Sequence, residues 1–334
     1  MKISASIYSD IKRSLKEVIE DLIDHKVDLL HVDCNDDVRV FEDIDKIRTW
    51  TDTPIDLHII TETPEKYFDL LRKTPVEYLT FQYEQLKPGF KIPEDISGKK
   101  GLAVITPTSV DVFKNFSEMD FILIMATIPG QSGGVFDAHN FSKIRNFRNK
   151  FPGKAIHVDG GVNGEVSFIL RNLGVRSSVS GSYLFKAPSI GHALMDLTTR
   201  EMDSHYKIKD FMIPIGEAPT VLTEELSNEN ILKAIEQGNL GFCLVINREG
   251  ELQGLTSNAD IRKGLLRNLS DFNAMSPEKL VNKTPVSLDE EMTVIEMMKV
   301  IRECKFQVTY LPVKDSANRA KGIVTFVNLI KGEL

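Results

Sequence analysis

Two hydrophobic periods take turns along the first 200 residues. Ile3–Tyr8 alternates as a strand does, and Ile11–Asp24 carries apolar positions at Leu15, Val18, Ile19, Leu22 and Ile23, one face of a helix. Short apolar runs at Leu29–Asp33, Ile55–Ile60, Tyr78–Phe81, Gly101–Ile105, Phe121–Ala126, Ala155–Asp159 and Ser177–Val179 predict seven more strands. Between them, helical spacing predicts Val40–Trp50, a short helix over Ser109–Asn115, and longer ones over Phe141–Phe151, Glu165–Leu173 and Ile190–Leu197. Thr63-Pro64-Glu65 opens another helix, with Thr63 as N-cap and Pro64 in the first turn. Eight strand–helix units in this length predict an α/β fold of the TIM (β/α)8 barrel type. A doubly wound sheet is the alternative, because alternation alone does not show closure.

The pattern stops at Thr198–Tyr206, which is polar and without period. A domain boundary there separates residues 1–200 from residues 207–334. The second region repeats a plan of roughly 60 residues. Its first copy runs from Ile208–Met212 through a strand at Thr220–Leu222, a helix at Ser227–Gln237, a hairpin Phe242–Ile246/Leu252–Thr256 turned at Arg248-Glu249-Gly250, and a helix at Asp260–Leu266. The second has Pro285–Leu288, a helix at Val294–Cys304, a hairpin Val308–Val313/Gly322–Phe326, and Leu329–Lys331. Two such copies are expected to complete one core and form a smaller α+β domain.

Candidate chemistry sits where strands end. The second strand closes on His31-Val32-Asp33, the third on Asp56-Leu57-His58, and the seventh on His157-Val158-Asp159. Residues two apart share one face of a strand, so His31 and Asp33 point the same way. Strand ends are where such folds place their sites, which lets His31, Asp33, His58 and Asp159 meet. Two imidazoles and two carboxylates suit one divalent metal, Zn²⁺, Fe²⁺ or Mn²⁺ rather than Mg²⁺. Any one of these histidines could instead be a hydrogen-bonded core residue; three converging strand ends argue for a site. Glycine turns follow three strands: Pro129-Gly130-Gln131-Ser132-Gly133-Gly134, Asp159-Gly160-Gly161-Val162-Asn163 and Ser180-Gly181-Ser182. The loops after strands seven and eight are the usual phosphate cradle of a TIM barrel.

Composition narrows the partners. A net charge of −7 argues against nucleic acid, and no apolar run reaches the ~20 residues of a membrane span. Met1–Ser6 lacks a signal-peptide core, so a cytoplasmic protein is expected. Cys34, Cys243 and Cys304 lie far apart, which fits a reducing compartment. Cys34 borders the candidate site but has no basic neighbour to activate it.

Residues 1 to about 190 resemble the ribulose-phosphate 3-epimerase family. The resemblance rests on Ser4-Ala5-Ser6-Ile7, His31-Val32-Asp33, Asp56-Leu57-His58, Met125, Pro129-Gly130, Val158-Asp159-Gly160-Gly161-Val162-Asn163 and Gly181-Ser182, in that order. It implies a metal held by His31, Asp33, His58 and Asp159, with Asp33 and Asp159 as the acid–base pair. It also implies Ser6 near the substrate and a phosphate held by Gly160, Gly161, Gly181 and Ser182, helped by Gly133 and Gly134. One Asp would take the proton next to the ketone of a ketose phosphate, and the other would return one to the opposite face of the enediolate. The chain departs from the family at Asn35, at Gln82 where a strand-four His is common, and in the loop Ile128–Gly134. These changes line the substrate end and leave the identity of the sugar open.

Residues 207–334 are similar to a pair of CBS domains, through Gly254-Leu255-Thr256-Ser257-Asn258-Ala259-Asp260-Ile261 and Gly322-Ile323-Val324-Thr325-Phe326-Val327-Asn328. That implies a ribose held by Ser257 and Asp260, hence an adenine or cytosine nucleotide, with Asn328 weakening the second site. A dimerisation module without ligand is the competing reading, and a homo-oligomer is expected. For the whole chain, a metal-dependent isomerase with a regulatory pair competes with a catalytically silent barrel that senses a sugar phosphate or nucleotide. Asp33 and Asp159 favour the enzyme, whereas Asn35 and Gln82 favour the sensor. A lyase built on Asp-x-Lys-x-x-Asp is disfavoured, since the second strand has no Lys at that position.

Overall fold

The second strand lengthens in the structure to Leu29–Asn35, because Cys34 and Asn35 pair with Ile59 and Ile60 on the third. The structure is a computed structural model that describes residues 1–127, 133–198, 205–271 and 274–326. These residues fall into two compact units, one within residues 1–198 and the other within residues 205–326. Among the described residues no helix is long and apolar enough to cross a membrane.

In the first unit eight parallel strands close a barrel in chain order: β1 (Lys2–Ser6), β2 (Leu29–Asn35), β3 (Ile55–Ile60), β4 (Tyr78–Gln82), β5 (Lys99–Ile105), β6 (Phe121–Met125), β7 (Ala155–Asp159) and β8 (Ser177–Ser180). Closure comes from β8 pairing with β1, Ser177 opposite Lys2 through Ser180 opposite Ala5. That pairing decides for the TIM barrel and against the open sheet. Around it run α1 (Leu15–Asp24), α2 (Val40–Trp50), α3 (Phe68–Lys73), α4 (His139–Lys150), α5 (Gly164–Asn172), α6 (Ser182–Lys186) and α7 (Ile190–Thr198). Their apolar faces, among them Ile19, Leu22, Ile44, Ile47, Phe147 and Ile169, are buried.

Several expected boundaries move, each for a local reason. The first strand ends at Ser6 and Ile7–Ser9 turns as a 3-10 helix. The following helix starts at Leu15, because Ser14 and Glu17 form a reciprocal capping box. Residues 11–13 stay outside it, where the Asp10 carboxylate accepts from the Lys12 and Arg13 amides. Thr63 does not cap with its side chain; Pro64–Tyr67 makes a separate 3-10 stretch before α3. Val110–Phe116 is 3-10 rather than α, with Ser109 accepting from the Asp111 amide. The five residues of α6 are too few to leave a period in the sequence. Pro129, Gly130, Gln131 and Ser132 of the third glycine turn, most of the boundary segment, Asn328 and Leu329–Lys331 lie outside the described residues.

The barrel interior is divided by chemistry. Ala103, Phe121, Leu123 and Met125 form an apolar cluster on β5 and β6. Ser4, His31, Asp56, Thr80 and His157 are buried polar groups, and His157 stacks on Phe121 with ring centroids 4.1 Å apart. Tyr78 on β4 meets His157 on β7 with ring centroids 5.6 Å apart, a contact across the lumen.

The second unit contains the repeat. Its first copy has α8 (Ile208–Phe211), β9 (Ile213–Pro214), β10 (Thr220–Leu222), α9 (Asn228–Gly238), β11 (Phe242–Ile246), β12 (Leu252–Ser257) and α10 (Asn258–Arg267). The second has β13 (Leu288–Asp289), α11 (Val294–Glu303), β14 (Tyr310–Lys314) and β15 (Ala320–Thr325). Each copy pairs a lead strand parallel to a hairpin, β10 with β11 and β13 with β14. Each hairpin breaks register at the same place, between Val245 and Ile246 or between Val313 and Lys314. The copies also exchange edges, since β9 pairs with β15 and Asn282 bridges Leu255 of β12. Phe242, Leu244, Leu252 and Leu255 of the first copy share one core with Ala320 and Ile323 of the second. Neither copy buries its sheet alone, which is why the repeat comes as a pair.

Candidate metal and active site

The barrel register brings the three strand-end motifs together. His31 pairs with Asp56 and Asp33 with His58 across β2 and β3, while Asp159 ends β7. His31, Asp33, His58 and Asp159 each offer one ligand atom, and these atoms all lie within 4.8 Å of one another. Both imidazoles are fully buried, while Asp33 and Asp159 keep 23% and 18% of their side chains exposed at the mouth. The cluster is thus reachable from one side.

Each imidazole is held by its far nitrogen. His31 Nδ1 lies 3.0 Å from Asp56 Oδ2, which also accepts from Ser4 Oγ at 2.9 Å. This leaves His31 Nε2 facing Asp33 Oδ1 at 3.3 Å and Asp159 Oδ2 at 4.0 Å. His58 is held the other way round: Nε2 lies 3.0 Å from Gln82 Oε1, and Nδ1 lies 3.4 Å from Asp33 Oδ1. Gln82 Oε1 only accepts, so His58 Nε2 carries a hydrogen and the lone pair of the neutral ring is on Nδ1.

Charge in the site is strongly coupled. Burial opposes a charged His31, yet the carboxylates of Asp33 and Asp56 outweigh it and hold the imidazole protonated well above its usual range. Burial also opposes ionisation of Asp33, but the charge of His31 and the hydrogen bond from it keep Asp33 far below the ordinary carboxylate range. Asp56 is lowered for the same reason against the same burial. Asp159 moves the other way: burial raises it, the negative charge of Asp33 adds to that, and His31 and His58 only partly offset it. Two carboxylates in one mouth are therefore driven apart.

The donor set fits a divalent cation. His58 Nδ1 is buried and has no hydrogen-bond partner. Its lone pair and an oxygen of Asp33 point at each other, two acceptors that repel unless a positive charge lies between them. Nitrogen and carboxylate oxygen in this ratio suit Zn²⁺, Fe²⁺ or Mn²⁺.

The glycine turns gather beside this cluster. Gly160 and Gly161 have φ of +105° and +66°, and a Cβ on either would strike Thr127 or the backbone of Phe136. A Cβ on Gly181 would meet Ser9 Oγ at 2.1 Å and Ser6 Cβ at 3.2 Å, so Ser6 lies against this turn. Near Gly133 the Ser182 Oγ and Lys186 Nζ atoms lie 3.7 Å from where a Cβ would stand, and Gly134 abuts Thr127. The glycines thus let the turns that follow β6, β7, β8 and β1 approach one another closely, with the exposed Lys186 at their border. Lys186, Asp56, Gln82 and Glu84 are site residues to which the sequence pattern alone assigns no role. The spacing Asp56-x-His58 and the period-two pair Gln82-x-Glu84 were the available signals.

In the second unit Ser257 and Asp260 are engaged with each other. Ser257 Oγ accepts from the Asp260 amide at 3.3 Å, and Asp260 Oδ2 accepts from the Ser257 amide at 3.0 Å, a capping box at the start of α10. Asp260 Oδ1 faces Lys263 Nζ, 3.9 Å away.

A closed (β/α)8 barrel with a two-His, two-Asp cluster at the C-terminal mouth defines a class of barrel proteins with a strand-end site. A family model described as the ribulose-phosphate 3 epimerase family matches residues 2–185, and the chain belongs to that family. A CBS domain model matches residues 278–333. Ribulose-phosphate 3-epimerase of Candida glabrata is 31% identical over 161 residues, 47% of this chain and 65% of that protein. The Bacillus subtilis protein of the same name is 26% identical over 200 residues, 55% of this chain and 92% of its own length. The crystal structure of CBSX2 in complex with AMP aligns with a TM-score of 0.32 and 21% identity, over 38% of this chain and 96% of that one.

Proposed function

We propose that residues 1–200 form a metal-dependent epimerase that inverts the carbon next to the ketone of a ketose phosphate, and that residues 207–334 form a regulatory CBS pair. The observation that carries the first part is the His58 Nδ1 lone pair aimed at Asp33 in a four-ligand cluster. His31, Asp33, His58 and Asp159 would hold one Zn²⁺, Fe²⁺ or Mn²⁺ ion. Such an ion supplies positive charge beside the oxygens of the enediolate.

Asp33 and Asp159 are the proton-transfer pair. They rise from β2 and β7, strands that do not neighbour one another, so they reach the mouth from different sides. One of the two takes the carbon-bound proton, and the other gives a proton to the opposite face. Gly133, Gly134, Gly160, Gly161, Gly181 and Ser182 cradle the phosphate, with Ser6 beside the substrate and Lys186 as its counter-charge. In the CBS pair, Ser257 and the outer oxygen of Asp260 accept from the ribose of an adenine or cytosine nucleotide.

Metal analysis of the purified full chain, followed by solvent-deuterium exchange into a panel of ketose phosphates, tests this reading. One divalent ion per chain and exchange at a single carbon are expected. Binding of a sugar phosphate by the metal-loaded protein without exchange would make the barrel a sensor.

A further inference from the structure

A polar chain leads away from the metal cluster and has no counterpart in the mechanism. Gln82, 3% exposed at the end of β4, presents Oε1 to His58 Nε2 at 3.0 Å. Its Nε2 donates to Glu84 Oε2 in the 3-10 turn Tyr83–Gln85. The other oxygen, Glu84 Oε1, accepts from the amide of Ile105, the last residue of β5, at 3.1 Å and from Thr108 Oγ1, in the turn that follows, at 2.5 Å.

An amide side chain can present either end to a neighbour, and its two ends differ in kind. Oε1 accepts, and Nε2 donates. A carboxylate cannot donate, so Glu84 takes the Nε2 end of Gln82 and leaves the Oε1 end for His58. An acceptor at that place puts the ring hydrogen of His58 on Nε2, which keeps Nδ1 open as a ligand atom. Glu84 is itself oriented by two donors that need an acceptor.

We propose that Glu84 and Gln82 are positioning residues that set the tautomer of His58, so that the turn after β5 governs whether this histidine can bind metal. The proposal rests on the reading of His31, Asp33, His58 and Asp159 as a metal centre. It concerns the glutamine that stands where a histidine is common in the family.

The consequence is specific. In Glu84→Gln the new amide keeps its oxygen toward Ile105 and Thr108, because both donate. Its NH₂ then faces Gln82, which must turn its own oxygen to receive it. Gln82 now offers NH₂ to His58, the ring accepts at Nε2, and the hydrogen moves to Nδ1, where it blocks the metal. Adding Gln82→Glu restores an acceptor on both sides of position 82, and every donor has a partner again.

The test uses the full chain with ¹⁵N-labelled histidine, metal-free, at pH 8, where an ordinary imidazole is neutral. Ring ¹⁵N shifts report which nitrogen of His58 carries the hydrogen, and His58→Asn assigns the signal. Wild type is expected to be protonated on Nε2, Glu84→Gln on Nδ1, and Gln82→Glu/Glu84→Gln on Nε2 again. Zn²⁺ titration against a chelator should show affinity lower by ten- to a hundredfold in the single variant, the usual effect of losing an outer-sphere partner, and recovered in the double. A wild-type His58 with its hydrogen on Nδ1 overturns the proposal, and so does a single variant whose tautomer is unchanged or a double variant that does not recover. A wild-type chain that binds no Zn²⁺ defeats the metal reading instead and leaves the tautomer result to stand or fall by itself.

Discussion

His31 and Asp56 occupy paired positions on β2 and β3, with His31 Nδ1 3.0 Å from Asp56 Oδ2 at the floor of the site. The carboxylate fixes the ring and leaves Nε2 aimed at Asp33 and Asp159. Ser4 Oγ shares the same oxygen, so Asp56 is anchored from β1 as well. Asp56→Asn keeps an acceptor but removes the charge. Metal affinity measured against a chelator should fall by about ten- to a hundredfold, as for other outer-sphere carboxylates. Unchanged affinity would mean that Asp56 only fills the barrel.

Asp159→Asn should abolish exchange of the carbon-bound proton, because an amide is not a useful base or acid at this site. General acid–base groups typically contribute roughly 10²–10⁴ in rate. The reading is solvent-deuterium incorporation into a ketose phosphate at saturating divalent ion. Wild-type exchange in that variant would remove Asp159 from the mechanism.

Lys186 borders the glycine turns and should interact with a phosphate alone. Lys186→Met is expected to raise KM for a ketose phosphate while leaving kcat near wild type, by roughly tenfold or more if the ammonium makes a charge-assisted hydrogen bond worth about 1.5–3 kcal/mol. Steady-state kinetics decide this. A fall in kcat at constant KM would place Lys186 with the reacting carbon instead.

His157 is the pH probe of the barrel interior. Burial pushes its imidazole down to about 4, against a small opposing pull from Asp56. A histidine depressed in the folded state is neutral there while the unfolded chain takes up a proton near pH 6.5. Stability is therefore full above that pH and is lost as pH falls toward 4. The loss amounts to about 3 kcal/mol, because each tenfold difference in proton affinity between the folded and unfolded chain is worth about 1.36 kcal/mol. His157→Leu removes this titration. Denaturant unfolding of both proteins at pH 7 and pH 4.5 should show wild type losing more than the variant, and parallel losses would refute the assignment.

Asp260 has two jobs in the proposed CBS pair, as a cap of α10 and as a ribose acceptor. Asp260→Ala should weaken an adenine or cytosine nucleotide by about 1.5–3 kcal/mol, roughly ten- to a hundredfold, the range for hydrogen bonds to charged groups. Loss of the capping box should also cost about 1 kcal/mol of stability. Calorimetry against ATP, ADP, AMP and CTP separates the two effects. Heat with none of them in wild type would favour a dimerisation module.

The sequence by itself determined the succession of strands and helices, because each element needs only its own period and its own cap. Val40–Trp50, Ile55–Ile60 and Ala155–Asp159 keep the bounds their patterns predict. It also determined which residues were candidates for chemistry, since His31-x-Asp33 and Asp56-x-His58 must each share a face. Only the tertiary structure decided closure, because β8 meets β1 across 175 residues of chain and no local pattern carries that pairing. It alone separated the members of the cluster from the residues that support them. His58 and Asp56 stand two residues apart on one strand, yet one turns a free nitrogen to the cluster and the other turns a carboxylate to the back of His31. The spacing of Gln82 and Glu84 was legible, but their joint effect was not, for the same reason. Their effect depends on which end of an amide faces which neighbour, and Ile105 and Thr108, more than 20 residues further on, set that choice.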